Sequence, residues 1–223
     1  MLNLGTSKSA QQYNKYPKYP IMKVILVHGI FDTGRIFHRL IAKLEANGHQ
    51  CFAPDLKPAD ARLGIADLSE KLKQYIDEQV SNDEPIAVVG FSMGTIVSRY
   101  YLQQLDGYRR TKAFFAISGP LKGTLTAYLY PGQGVKDLRP NSPLLNELAK
   151  SENKLAHIAL HTYRTPLDAM IVPSKSSEWR MASNHKINAP LHRLMVSNQR
   201  VYTHIAKQLT HVLSSSDAGV SER

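Results

Sequence analysis

The chain has 223 residues, 43% of them hydrophobic, and 28 basic against 18 acidic residues give it a net charge of +10. A chain of this length is typical of one domain around a single core. The basic residues are scattered rather than gathered in a run, which argues against a nucleic-acid partner. We expect a basic surface with, at most, weak association with anionic membrane surfaces.

The single cysteine and the distribution of apolar residues narrow the possible class and location of the protein. Cys51 is the only cysteine, which excludes an intramolecular disulfide, and its strand-like surroundings predict a buried apolar role rather than a nucleophile. The sequence has no apolar run long enough for a transmembrane helix, and residues 1–21 lack the apolar core of a signal peptide, so we expect a cytoplasmic protein. We predict a flexible leader over 1–21, one folded domain over 22–213 and a disordered tail over 214–223.

Short apolar runs alternate with longer amphipathic segments along the folded domain. The runs predict strands at 22–28, 50–53, 86–90, 112–118, 156–162 and 183–187. Helical spacing predicts helices at 35–46, 65–80, 95–105 and 199–210. This alternation is typical of an α/β protein with a mostly parallel sheet and helices on both faces, whose functional sites lie at the carboxyl ends of the strands. The Gly- and Pro-rich stretch 119–150 breaks the rhythm and predicts a long loop beside the site.

The sharpest local motif is Gly90-Phe91-Ser92-Met93-Gly94, between a predicted strand and a predicted helix. A serine hydroxyl is a poor nucleophile unless it is held beside a base. A tight strand–turn–helix elbow holds it there, and glycines on both sides leave room for the strained turn. The alternative is a serine that only caps the helix. In this setting we interpret Ser92 as a nucleophile.

The segment His28-Gly29-Ile30 directly follows the first predicted strand. Acyl transfer needs two N–H donors for the oxyanion. We expect the backbone N–H of Met93 to supply one donor and that of Ile30 the other. Gly29 allows a close approach of the backbone, and His28 is expected to hydrogen-bond the loop rather than to react.

Several segments resemble the α/β-hydrolase superfamily, in particular its small lipases and esterases. These segments are VILVHGIFDTGRIF, FAPDL, VVGFSMG, AISGPLKGT and LDAMIVP, and together they span the chain from about Met22 to His211. The resemblance implies an α/β-hydrolase fold, and the short chain leaves no room for a large cap domain. It also implies a triad in the chain order serine, acid, histidine.

The resemblance implies that Asp168 is the acid, because Asp168-Ala169-Met170-Ile171-Val172 resembles the family's D-x-x-V position after a late strand. Glu178 and Asp137 are weaker rivals, and Asp168 has the alternative role of capping a loop turn. For the base, His192 leads because it lies in a loop after the last predicted strand, with His185 second. His204 and His211 lie on or after the last helix, away from the expected site.

The sequence therefore predicts a serine hydrolase that cleaves carboxylic esters through an acyl-enzyme. Thioester cleavage, acyl transfer and a non-catalytic relative that binds a lipid or a protein remain alternatives. No spacing typical of a metal site is visible, so we predict neither a metal nor a cofactor. Four apolar residues of the long loop have two possible roles, contact with an acyl chain or ordinary packing: Leu125, Tyr128, Leu129 and Tyr130.

Overall fold

The computed structural model describes residues 21–218. The predicted leader thus lies outside the described residues, except for Ile21, and so does the end of the predicted tail, 219–223. The last helix is longer than the sequence predicts. It continues to Ala218, past position 213, where we expected the domain to end.

Six parallel strands of the described chain form one sheet in the order β2-β1-β3-β4-β5-β6. The fold class predicted from the sequence is confirmed. Strands β1, β3 and β4 are inner strands with nearly continuous apolar sequences, because helices cover both of their faces. The strands are β1 Lys23–Val27, β2 Gln50–Phe52, β3 Ile86–Phe91, β4 Thr111–Ile117, β5 Ala159–Arg164 and β6 Ser183–Lys186.

The helices divide between the two faces, so the domain has two apolar clusters with the sheet between them. Alternate residues of β1 point to opposite clusters: Ile25 packs with the α2 and α3 side, and Leu26 with the α1 and α6 side. The helices are α1 His38–Glu45, α2 Ile65–Gln79, α3 Met93–Gln104, α4 Gln133–Asp137, α5 Pro143–Lys150 and α6 Gln199–Ala218.

The stretch 119–150 differs from the long loop that we predicted. It contains a short 3-10 helix at Leu125–Tyr128, then α4 and α5. Ser142 caps α5 through its Oγ, which accepts a hydrogen bond from the Leu145 amide at 3.2 Å, and Pro143 occupies the first turn. Both residues are strong helix-start signals, so α5 could have been predicted from the sequence.

The strand predicted at 156–162 is displaced in the structure. Its first residues belong to a turn that follows a 3-10 helix at Glu152–Leu155, and β5 begins only at Ala159. Leu155 at the end of that 3-10 helix and Ile158 in the turn are both buried. Their burial explains why the apolar pattern appeared to begin early. None of the helices in residues 21–218 combines the length and apolar character needed to cross a membrane.

Candidate active site

Ser92 lies at a sharp turn between β3 and α3, at the carboxyl edge of the sheet. Its backbone has φ +54° and ψ −126°, a conformation that non-glycine residues rarely adopt. The turn is held by the Ser92 amide, which donates to the Ile117 carbonyl at 2.9 Å, and by the Ser92 carbonyl, which accepts from the Thr95 hydroxyl at 2.7 Å. The strain is therefore fixed by neighbouring elements, as is typical of functional sites.

The two glycines of the motif are required by close backbone contacts. A Cβ at Gly94 would lie 2.1 Å from the Val27 carbonyl oxygen, and a Cβ at Gly90 would lie 2.7 Å from Thr95 Cα. No side chain fits at such distances. The glycines allow α3 to begin directly against the end of β1, which places Ser92 at the carboxyl edge of the sheet.

Asp168 and His192 come together from two loops that follow β5 and β6. His192 Nδ1 lies 2.8 Å from Asp168 Oδ2, and since a carboxylate only accepts, the ring nitrogen donates. The other oxygen of Asp168 accepts from the Met170 and Ile171 amides, both at 2.9 Å. With three donors, the buried carboxylate holds the His192 ring in one tautomer, whose Nε2 is free to accept a proton.

The backbone around Ser92 offers donors for an anion. Met93 is the first residue of α3, so its N–H is among those that a helix leaves without an internal partner. In the loop after β1, the Phe31 amide donates to Ala59 and the Asp32 amide to Gly29, whereas the Ile30 amide has no partner within the described residues. Both predicted oxyanion donors are thus unengaged.

His28 and Gly29 shape this loop. The Leu56 amide donates to His28 Nε2 at 2.9 Å, so His28 Nδ1 carries the proton and donates to the Gly29 carbonyl at 2.8 Å. Both ring nitrogens of this buried histidine are used by backbone groups. A Cβ at Gly29 would lie 3.0 Å from Ser92 Cβ, so the missing side chain leaves space beside Ser92.

The sequence matches the α/β-hydrolase fold family over residues 23–190, most of the chain. The chain belongs to the α/β-hydrolase fold family. No curated protein sequence is similar enough to count as a match.

Solved structures of lipases and esterases share the α/β-hydrolase fold of this chain. The mature form of the Bacillus licheniformis lipase BlEst2 matches with a TM-score of 0.69 at 15% identity, over 88% of this chain and 95% of that one. Lipase B of Aspergillus fumigatus matches with a TM-score of 0.70 at 16% identity, over 83% of this chain but only 51% of its own. Polyneuridine aldehyde esterase matches with a TM-score of 0.61 at 18% identity, over 85% and 99% of the two chains. At these identities the likeness establishes the fold alone.

The rival candidates have other partners within this hydrolase-fold domain. Glu178 pairs with Arg164 at 2.6 Å, and Asp137 accepts from the Ile65 amide at 2.9 Å. His185 lies in β6, and His204 in α6 bonds to Tyr163 at 2.8 Å. His211 also lies in α6, so of the residues considered only Asp168 and His192 are joined beside Ser92.

An ion pair that the sequence analysis missed links the two loops around the site. Asp32 Oδ1 lies 2.7 Å from Arg193 Nη2, next to His192. Burial raises the pKa of Asp32, against the lowering effects of Arg193, His28 and His192. The pair ties the loop that carries Ile30 to the loop that carries His192. No local sequence signal joins residues so far apart.

Ser92 borders two pockets. The first is mainly apolar and is lined by residues such as Ile30, Ala127, Val135, Leu138 and Ile171. The second contains His192 together with residues such as Asp32, Leu167, Leu191 and Arg193. Ser92 thus separates an apolar pocket from one that contains the histidine.

The four apolar residues singled out in the long loop are exposed. Leu125, Tyr128 and Leu129 are 54%, 56% and 77% exposed, and Tyr130 lines the apolar pocket. Ordinary packing under a loop does not describe them.

Three histidines converge at a second place in the domain. His161, His185 and His204 each offer a ring nitrogen within 4.8 Å of the others. Burial lowers the pKa of all three, that of His161 to about 4. Burial therefore favours the uncharged form of each ring. They come from β5, β6 and α6, and sequence spacing gives no indication of their contact.

Proposed function

We propose that the protein is a serine hydrolase that cleaves carboxylic esters with an apolar acyl group. One observation carries the proposal: His192, whose Nδ1 is bonded to the buried Asp168, lines the same pocket as Ser92, which is held in a strained turn. In the proposed reaction, the Ser92 hydroxyl attacks the ester carbonyl while His192 Nε2 takes the hydroxyl proton. The amides of Ile30 and Met93 bind the oxyanion.

The two pockets suggest how the ester is oriented. His192 must return its proton to the departing alcohol, so the alcohol side belongs in the pocket that contains His192. The acyl group then occupies the apolar pocket beside Ile30 and Leu138. Water, activated by His192, releases the acid in the second half of the reaction.

A fluorophosphonate probe and a series of nitrophenyl esters test this proposal. We expect the probe to label the protein and Ser92→Ala to abolish labelling, with ester turnover falling by about 10⁶, the scale for triad nucleophiles. Ser98→Ala is the matched control, since Ser98 is a buried serine of the adjoining helix α3 whose hydroxyl donates to the Gly94 carbonyl.

The outcomes separate the alternatives. Labelling that persists in Ser92→Ala would contradict the nucleophile. Labelling without ester turnover would favour thioester cleavage or acyl transfer by the same triad. Absence of both in the folded protein would favour a non-catalytic relative that binds a lipid or a protein.

A further inference from the structure

We propose that His161, His185 and His204 form a binding site for a divalent transition metal such as Zn²⁺. The site is separate from the proposed esterase centre and does not depend on it. The three histidines lie on the face of the sheet that α1 and α6 cover. Tyr163 lies on the same face, and its ring contacts the rings of His185 and His204. They are held by three different elements, β5, β6 and α6.

The spacing of the rings fits tetrahedral coordination. His161 Nδ1 and His185 Nε2 are 3.4 Å apart, and the rings of His185 and His204 have centroids 4.3 Å apart. Two nitrogens that each bind zinc at about 2.0–2.1 Å, at a tetrahedral angle, are about 3.4 Å from each other. Small rotations of the three rings would direct one nitrogen lone pair of each histidine at a common point between them.

His204 already has the outer hydrogen bond that metal-binding histidines use. With the proton on Nδ1, His204 donates to the Tyr163 hydroxyl at 2.8 Å, and Nε2 keeps a lone pair. A metal would take that lone pair in place of the Gln208 side-chain amide, which lies 3.3 Å from Nε2. A fixed tautomer and a fixed ring are what such a partner provides to a metal ligand. Phe115 stacks on His161 with centroids 5.3 Å apart and restricts that ring as well.

The donor set selects the class of metal. Three uncharged imidazoles suit zinc, copper or nickel, whereas Mg²⁺ and Ca²⁺ need oxygen ligands. Lys207 lines the same surface pocket as His204, so an ion here would have to be held by direct coordination rather than by negative charge. His204 also lines an open surface pocket with Asn188 and Thr203, which gives an ion a way in and leaves the fourth position for water.

The site joins the two ends of the segment that carries His192. His185 is in β6 before this segment, and His204 is in α6 after it. Strand β6 is short and lies at the edge of the sheet. A bound metal would fasten this edge strand to α6 and so fix both ends of the intervening loop.

The test is calorimetric titration of the untagged full chain, stripped with a chelator, with ZnCl₂ and separately with MgCl₂. We expect one zinc ion per chain and no magnesium binding. His185→Gln and His204→Gln should each weaken zinc binding more than Tyr163→Phe, which removes only an outer partner and should cost about 10–100-fold. His38→Gln, at an exposed histidine outside the cluster, and His192→Gln should leave the affinity unchanged.

Zinc binding that is equal in the parent and in folded His185→Gln and His204→Gln would overturn the proposal, as would no binding by the parent. If these variants do not fold, a crystal of the parent soaked in ZnCl₂ decides, through anomalous scattering at the zinc edge. A peak between the three rings supports the site. A peak only at His192 or elsewhere overturns it.

Discussion

At the scale of single residues, the two carboxylate oxygens of Asp168 have different partners: one binds the backbone of its own loop and the other binds His192. One oxygen accepts from two backbone amides and fixes the loop, and among residues 21–218 the other accepts from His192 alone. The side chain is 1% exposed, so water does not compete for that bond. The tautomer of His192 therefore depends on this one carboxylate.

Asp168→Asn should lower kcat/KM for a nitrophenyl ester by about 10⁴, because an amide can present an N–H to His192 and favour the wrong tautomer. Glu178→Gln is the matched control and should keep most activity, since Glu178 pairs with Arg164 instead. Steady-state kinetics of both folded variants provide the check. Equal losses in the two would contradict the assignment of Asp168.

The thiol of Cys51 is expected to react slowly in the folded protein. Burial, together with the nearby Glu45, raises the pKa of the Cys51 thiol to about 12. The thiolate is the reactive form, so it is scarce at pH 8, where an ordinary thiol with a pKa of about 8.5 is partly ionised. We expect iodoacetamide at pH 8 to alkylate the native protein far more slowly than the urea-unfolded chain, as measured by intact mass. Equal rates would contradict this protected, non-nucleophilic role.

At the scale of secondary-structure elements, the elbow depends on how closely α3 approaches β1. The contact between the two elements is between backbones, since a Cβ at Gly94 would overlap the carbonyl oxygens of Val27 and His28. The same contact places the first turn of α3 next to the loop that follows β1. The stability of the fold and the position of Ser92 are therefore coupled at this point.

Gly94→Ala should destabilise the protein by about 1–3 kcal/mol, the usual cost of overpacking, and should also lower ester turnover by displacing the elbow. Gly48→Ala is the control. Gly48 has φ +88° but open space around it, so alanine there should cost about 1–2 kcal/mol of backbone strain and leave turnover intact. Urea unfolding and esterase assays compare the two. Full activity in Gly94→Ala would mean that the elbow tolerates displacement.

At the scale of the whole molecule, the positive charge and the exposed apolar residues suggest that the protein binds weakly to lipid surfaces. The net charge is +10, and the exposed apolar side chains of Leu125, Tyr128 and Leu129 are close in the chain to Ala127 and Tyr130, which line the apolar pocket. Arg139 lies over the ring of Tyr128 at 4.7 Å, so positive charge is present on the same side. This combination favours weak binding to an anionic lipid surface.

Vesicles of anionic and of neutral lipid test that prediction by co-sedimentation. We expect binding to the anionic vesicles in about 0.1 M salt and release in about 1 M salt, where the screening length falls from about 10 Å to about 3 Å. Neutral vesicles should bind little. Leu129→Ser keeps the charge and should not change the salt-dependent part of the binding. Binding that ignores both salt and lipid charge would contradict an electrostatic attraction.

The sequence by itself determined the fold class and the nature of the elbow, because both depend on local patterns. Apolar runs such as 23–27 reveal strands buried on both faces, and glycines at 90 and 94 reveal a turn too tight for side chains. It misjudged the stretch 119–150, where Gly and Pro suggested a loop although Ser142 and Pro143 begin α5. There, an abundance of turn residues outweighed a correct helix-start signal.

Only the tertiary structure decided which side chains meet. The sequence offered His192 and His185 as bases through chain order and resemblance, and the contact of His192 with Asp168 comes from the adjacent carboxyl ends of β5 and β6. It offered no sign of the pair Asp32–Arg193 or of the cluster of His161, His185 and His204. Such contacts join residues far apart in the chain, and their distances are set by sheet order and helix packing, which no local pattern encodes.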